Sequence, residues 1–190
     1  MGIGTTIITW VGGIFIGAVA LYYILSIYNG LVMLKNSIRK NWSNIDVLLK
    51  QRTDLIPNLI ETVKVYMKYE KRVIKQVTDS RVEMMGATRL VDKAKANDDL
   101  SEALKTLFAL SENYPQLKAN DTFLKLQEEL SSIENQIADR RELYNDSVNI
   151  YNTRIESIPD MLFAKLLGYG KEEYFKATGE ERREVEVKLE

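Results

Sequence analysis

The chain has 190 residues, 26 basic and 27 acidic, with neither His nor Cys. Lacking imidazole and thiol, it has no Ser-His-Asp or Cys-His machinery, no disulfide, no iron–sulfur ligation and no His metal ligand. A formal net charge of −1 gives no global pull towards nucleic acid. With only 10 Gly and 3 Pro, turns are too few for a β-sandwich or barrel, and long helices are expected.

No charged side chain precedes Lys35. Ile3 to Tyr28 is an uncharged run. As a helix it would be roughly 39 Å long, enough to cross a ~30 Å hydrocarbon core with some tilt. Tyr22, Tyr23 and Tyr28 cluster towards one end, where aromatic rings suit the headgroup boundary. Residues 1–28 are therefore expected to be a transmembrane anchor. A cleaved signal peptide with Ala18-Val19-Ala20 as cleavage site competes with this reading, but no basic side chain precedes the run and the apolar stretch continues to Ile27. A buried core helix fits poorly with a run apolar on every face. Lys35, Arg39 and Lys40 follow the span and Tyr28 marks its exit, so the positive-inside rule puts the following domain in the cytoplasm and the N-terminus outside. Thr5, Thr9, Gly13 and Gly17 recur every fourth residue, a small-residue face of the kind that favours self-association of spans.

Helical periodicity follows. Leu31, Leu34, Ile38, Trp42, Ile45 and Leu49 are spaced by three or four, and the pattern resumes after Pro57 as Leu59, Val63, Tyr66, Val73 (or Ile74) and Val77. Because Pro lacks the N–H that a helix interior needs, the first helix is expected to end near Arg52 and the second to start near Asp54, with a single kinked helix as the alternative. The second is expected to run to about Ala96, with a turn at Asn97-Asp98-Asp99. A shorter helix carries Leu100, Ala103, Leu104, Leu107 and Phe108 and ends at Asn113-Tyr114-Pro115. Asp121 or Thr122 is expected to cap the last helix. There Phe123, Leu126, Leu130, Ile133, Ile137, Tyr144, Val148, Tyr151, Ile155 and Ile158 make a heptad-like seam that Pro159 stops.

The expected fold is all-α: an N-terminal transmembrane helix, then an antiparallel up-and-down four-helix bundle over 29–160 with coiled-coil-like packing. Residues 161–178, rich in large apolar side chains, either cap the bundle or touch the membrane, and 179–190 form a charged tail.

The residues resemble the LemA family. The resemblance is carried by Tyr28-Asn29-x-Leu31-Val32 and by Trp42-x-x-Ile45-Asp46-Val47-x-Leu49-Lys50-x-Arg52-x-Asp54-Leu55-Ile56-Pro57-Asn58-Leu59-Ile60-Glu61-Thr62-Val63-Lys64. It continues at Tyr114-Pro115-x-Leu117-Lys118-Ala119-Asn120, Leu126-Gln127-Glu128-Glu129-Leu130, Tyr144-Asn145-x-x-Val148-x-x-Tyr151-Asn152 and Tyr174-Phe175, while 65–113 is less distinctive. It implies a bacterial-type membrane protein with one N-terminal span, an outside N-terminus and a cytoplasmic helical bundle. No enzymatic activity is established for that family, and some relatives are associated with membrane-bounded organelles in magnetic bacteria.

The polar residues of these blocks are the candidates for a site: Asp46, Arg52, Asp54, Asn58, Glu61, Gln127, Glu134, Asn145 and Asn152. Gln127 and Glu134 are seven apart, as are Asn145 and Asn152, so each pair shares a helix face. They read either as a polar site or as a hydrogen-bonded network that sets helix register, and the second is favoured. No catalytic residue, metal or cofactor is expected. A di-metal bundle site normally takes Glu-x-x-His, and no loop has EF-hand spacing. Lys64, Lys68, Lys71, Arg72 and Lys75, with Tyr66 and Tyr69, read as a solvated face rather than a nucleic-acid surface. The expected partners are the lipid bilayer, further copies of the chain and other membrane or cytoplasmic proteins. The expected role is a non-enzymatic scaffold or membrane organiser, or alternatively a module recruiting a partner such as a protease or signalling protein.

Overall fold

A computed structural model describes residues 2–175, except the side chains of 3–9. The described residues form six helices and no strand: α1 Ile3–Tyr66, α2 Lys71–Gly86, α3 Leu90–Ser111, α4 Pro115–Lys118, α5 Asp121–Glu156 and α6 Asp160–Leu166. The expected tail at 179–190 lies outside them.

The apolar run forms the start of α1, and this helix is long and apolar enough to cross a membrane. Every described side chain from Trp10 to Ser26 is exposed, and Ile27 is the first buried one. From there the amphipathic stripe Leu31, Ile38, Ile45 and Leu49 is buried.

The expected break between Arg52 and Asp54 is absent: α1 passes through Pro57 without interruption. Of the alternative, a single kinked helix, the single helix is what is seen. Proline at 57 removes the donor that would satisfy the carbonyl of Thr53 four residues earlier. That carbonyl accepts from Arg81 Nε of α2 at 2.9 Å instead, so the lost helical bond is replaced from a neighbouring helix.

The second expected helix is divided twice. The chain turns at Met67–Glu70, with Glu70 N donating to Met67 O (3.1 Å), and Met67 is fully buried. It turns again at 87–89. Asn97-Asp98-Asp99, expected to be a turn, lies inside α3, because Asn97 is buried and used as a hydrogen-bond partner there. α3 ends at Ser111, next to the expected stop. The cap of α5 is Asn120 rather than Asp121 or Thr122: its Oδ1 accepts from Phe123 N at 2.9 Å, the geometry of an N-cap onto the third helical residue.

The described chain divides into two units. One combines 2–41 with 146–173, and the other 42–145 with 174 and 175. In the second unit α1, α2, α3, α4 and α5 share one core, whose fully buried members include Leu59, Val63, Val77, Leu100, Leu107 and Leu117. Truncating one such Leu to Ala costs about 2–5 kcal/mol. Phe108 and Phe123 meet edge to face at 6.0 Å in this unit. In the first unit the buried side chains are Ile27, Leu31 and Ile38 of α1, Val148, Tyr151, Asn152 and Ile155 of α5, and Ala164 of α6. α6 closes with Gly168 at φ 72°, while Tyr169 N donates to Ala164 O (2.9 Å) and Gly168 N to Lys165 O (3.3 Å). This is a Schellman cap, whose left-handed residue favours glycine.

Candidate functional site

The most polar interior of the second unit is built around Arg52, which is 3% exposed. Its Nη1 donates to Asn97 Oδ1 (2.6 Å) and Ser101 Oγ (3.0 Å) on α3. Its Nη2 lies 2.7 Å from Glu134 Oε2 on α5. Ser101 Oγ accepts from Arg52, and its own proton is within reach of Glu134 Oε1 (2.8 Å) or the Asn97 carbonyl (3.0 Å). Three helices are thus tied to one guanidinium. The Nη2–Oε2 pair is an ion pair by distance, but lacks hydrogen-bond alignment, and Arg52 Nε has no hydrogen-bond partner. Burial pushes Arg52 below its ordinary pKa, with the charges of Glu134 and Asp98 opposing that shift. A partly aligned buried ion pair adds little net stability, whereas removing one partner strands the other.

Aromatic and charged groups gather nearby in the same unit. Trp42 packs edge-on to Tyr144 at 6.0 Å and tilted to Phe175 at 6.1 Å. Lys93 stands over the Trp42 ring at 5.5 Å and pairs with Asp46. Arg141 covers the Phe175 ring at 4.8 Å and lies 3.7 Å from Asp98. Asn145 clamps Phe175 twice, with Nδ2 donating to its carbonyl (3.1 Å) and Oδ1 accepting from its amide (2.9 Å).

The first unit repeats the device. Asn152 Nδ2 donates to Glu172 O (3.0 Å) and its Oδ1 accepts from Glu172 N (3.0 Å). Tyr151 donates to Gly170 O at 2.9 Å, and Tyr151 is pushed above its ordinary pKa first by burial, then by the charge of Glu172. Lys35 pairs with Glu172 at 3.2 Å and stands 5.6 Å from the Tyr169 ring centroid. Tyr28, Arg39 and Lys40 are exposed.

Of the residues singled out from sequence, the structure joins Arg52 to Glu134, gives Asp46 to Lys93, and sets Asn145 and Asn152 on backbone. Asp54, Asn58 and Glu61 are exposed and stand outside the buried network. Asp54 bonds Lys50 on the surface at 2.8 Å, and the Asn58 carbonyl accepts from Thr62. Gln127 is half-buried. A Cβ added at Gly13 or Gly17 would meet open space; the Thr5 and Thr9 side chains lie outside the described residues. Asn97, Ser101, Lys93, Asp98 and Arg141 were missed. Each sits at a polar position that sequence alone assigns to solvent, and the signal in hand was Arg52, which faces the core stripe and so demands acceptors. The basic stretch from Lys64 to Lys75 is split between α1 and α2 by the Met67–Glu70 turn, and Lys75 pairs with Asp79 at 2.5 Å.

Among the described residues no group of three or more Asp, Glu, His or Cys is placed to hold a metal ion. The polar groups of the network mostly face one another, so what the arrangement can do chemically is tie α1, α3 and α5 together.

Known proteins provide the context. The chain is 25% identical over 174 residues to magnetosome protein MamQ 2 of Paramagnetospirillum magneticum and to magnetosome protein MamQ of Magnetospirillum gryphiswaldense, covering 78% of this chain and 64% of each relative. It therefore spans less than two thirds of the length of those relatives. It is 24% identical over 179 residues to protein LemA of Metamycoplasma hominis, covering 91% of this chain and 80% of that one. The match to the LemA family itself runs over residues 41–189, most of the chain and nearly all of its charged part, and the chain belongs to the LemA family.

Proposed function

We propose that this LemA-family chain is a non-enzymatic, membrane-anchored scaffold. One observation carries the reading: a single helix, α1, presents apolar side chains exposed on all sides over 10–26 and then supplies buried stripe residues from Ile27 onward. An apolar surface of that extent is stable in lipid rather than water. In this reading the N-terminus lies outside, the charged domain lies in the cytoplasm against the inner membrane, and the Gly13 and Gly17 face mediates self-association.

The reading takes α1, α2, α3 and α5 as an antiparallel up-and-down bundle with coiled-coil-like packing. Contacts within the second unit support it. Trp42 meets Tyr144, Arg52 meets Glu134, and Tyr66 meets Asn120, so positions rise along α1 as they fall along α5. The polar groups that face one another across α1, α3 and α5 support a structural rather than a catalytic role.

The chain has no native cysteine, which makes the test clean. Single-cysteine variants at Gly17 and at Ile16 are oxidised in native membranes. Dimers and higher species from Gly17→Cys, with far fewer from Ile16→Cys, support the scaffold; a strictly monomeric Gly17→Cys sinks self-association. Membrane-impermeant labelling of single cysteines on intact cells tests the orientation.

A second reading, a module recruiting one cytoplasmic or membrane protein, is favoured by Val82, Met85 and Val91. All are exposed, on either side of the 87–89 connection. Capture of one stoichiometric partner that Met85→Glu releases, with no self-assembly, supports it over the scaffold.

A further inference from the structure

Beside the membrane exit of the first unit lies an open groove of about 560 Å³. Tyr22, Leu25, Ser26, Asn29 and Met33 of α1 line it together with Arg154 of α5. Most of the wall is apolar or uncharged, and among the described residues Arg154 is its one charged member. The arginine is held in place. Its Nε donates to Asp160 Oδ2 at 2.5 Å, at the start of α6. Among the described residues its Nη1 and Nη2 make no hydrogen bond, and they lie against Gly30, where an added Cβ would come within 2.6 Å of both. The absence of a side chain at Gly30 is what lets the guanidinium reach the groove. α6, tied to the same arginine through Asp160, leaves Leu162 and Leu166 exposed.

We propose that this groove binds the headgroup phosphate of an anionic phospholipid, with Nη1 and Nη2 of Arg154 as the charged donors. Ser26 and Asn29 offer further polar groups, and the apolar wall accepts the start of the acyl chains. A guanidinium with two free nitrogens suits phosphate geometry. The groove lies where the uncharged run gives way to the first charged residues, the depth at which headgroups sit. Among the described residues no carboxylate lines it, and Asp160, which pairs with the arginine, has a side chain only 13% exposed, so no open acceptor there receives the ammonium of a zwitterionic lipid, and charge complementarity selects a net negative headgroup. The proposal rests on the membrane-anchored reading and adds a specific lipid to it.

The test uses the full chain in detergent, titrated with phosphatidylglycerol, phosphatidylcholine or inorganic phosphate and followed by native mass spectrometry. One saturable phosphatidylglycerol adduct is expected, at least about fivefold tighter than phosphatidylcholine, the scale of one interfacial arginine. Arg154→Gln and Gly30→Ala each abolish that preference, the second by displacing the guanidinium. Arg39→Gln, at an exposed basic residue outside the groove, leaves it intact. Should Arg154→Gln lose helicity by circular dichroism, Gly30→Ala carries the result, since the atoms nearest its Cβ are the flexible end of a side chain. Equal affinity for the two lipids, a preference retained by Gly30→Ala, an equal loss in Arg39→Gln, or phosphate ion binding as tightly as lipid overturns the site. A chain that reconstitutes into bilayers without lipid preference refutes the groove alone; a chain that never enters bilayers refutes the anchor.

Discussion

The carbonyl of Thr53 and the Nε of Arg81, 2.9 Å apart, repair the gap that Pro57 leaves in α1. Thr53 is buried, so its carbonyl has little access to water. Without Arg81 it becomes an unsatisfied buried acceptor, at a cost of about 1–3 kcal/mol. Arg81→Met is therefore expected to lower unfolding stability by that amount in a urea titration of the detergent-solubilised chain. In a Pro57→Ala background residue 57 regains its N–H, and the Arg81→Met penalty shrinks to well under about 1 kcal/mol. Equal penalties in the two backgrounds exclude the repair.

Arg52 and Glu134 compensate one another, and either substitution is expected to strand the partner that remains. Arg52→Met strands Glu134, Asn97 and Ser101 at once and is expected to cost about 3–5 kcal/mol. Glu134 has a side chain 41% exposed. Its Oε2, which faces Arg52, is nevertheless buried, and Glu134→Gln, though it keeps an acceptor for Ser101, strands the buried guanidinium, so its cost is expected to be of the same size. The same urea titration measures both, and a Glu134→Gln loss below about 1 kcal/mol, the size of an exposed pair, contradicts the pairing.

Much of this fold is legible in the hydrophobic spacing. Along α5, Phe123, Leu130, Ile137, Val148 and Tyr151 are all buried, as the heptad-like seam requires. Ile158, at its expected end, is exposed, because α5 stops at Glu156. What spacing does not convey is compensation from far along the chain. Pro57 reads as a helix start because nothing local replaces its missing donor, and the donor that does sits on α2. Asn97-Asp98-Asp99 reads as a turn because three short polar residues compete with helical hydrogen bonds. Asn97 instead lies buried opposite Arg52, and that tertiary demand overrides the local preference. Asn145 and Asn152 share a face by their spacing alone, yet the backbone they hold carries no periodic signal. The family resemblance marks both Asn residues and Phe175 without saying that they touch.

Each Asn clamp makes one bond as donor and one as acceptor. Asn152 holds Glu172 in the first unit, and Asn145 holds Phe175 in the second. Either Ala substitution removes both bonds and is expected to cost about 1–3 kcal/mol. The effect is local: Asn152→Ala speeds hydrogen exchange of the Glu172 amide, and Asn145→Ala that of the Phe175 amide, before the protection of α3 changes. Unaltered exchange at those two amides removes the clamps from the account.

Alkaline pH tests Tyr151. Its hydroxyl donates to the Gly170 carbonyl, and burial raises it above its ordinary pKa of 10.0. An acid whose folded pKa is raised stays protonated in the fold while the unfolded chain begins to ionise near pH 10. The stability it contributes is complete below that pH and is lost as pH climbs towards the folded value. Tyr114 shifts the same way, chiefly through its hydrogen bond to Glu70. Unfolding free energy is therefore expected to fall with rising pH above about 10, and the fall is expected to be shallower in Tyr151→Phe, which has no proton to lose. Urea titrations at several alkaline pH values measure this slope, and a Tyr151→Phe chain as steep as the parent rules out Tyr151 as its source.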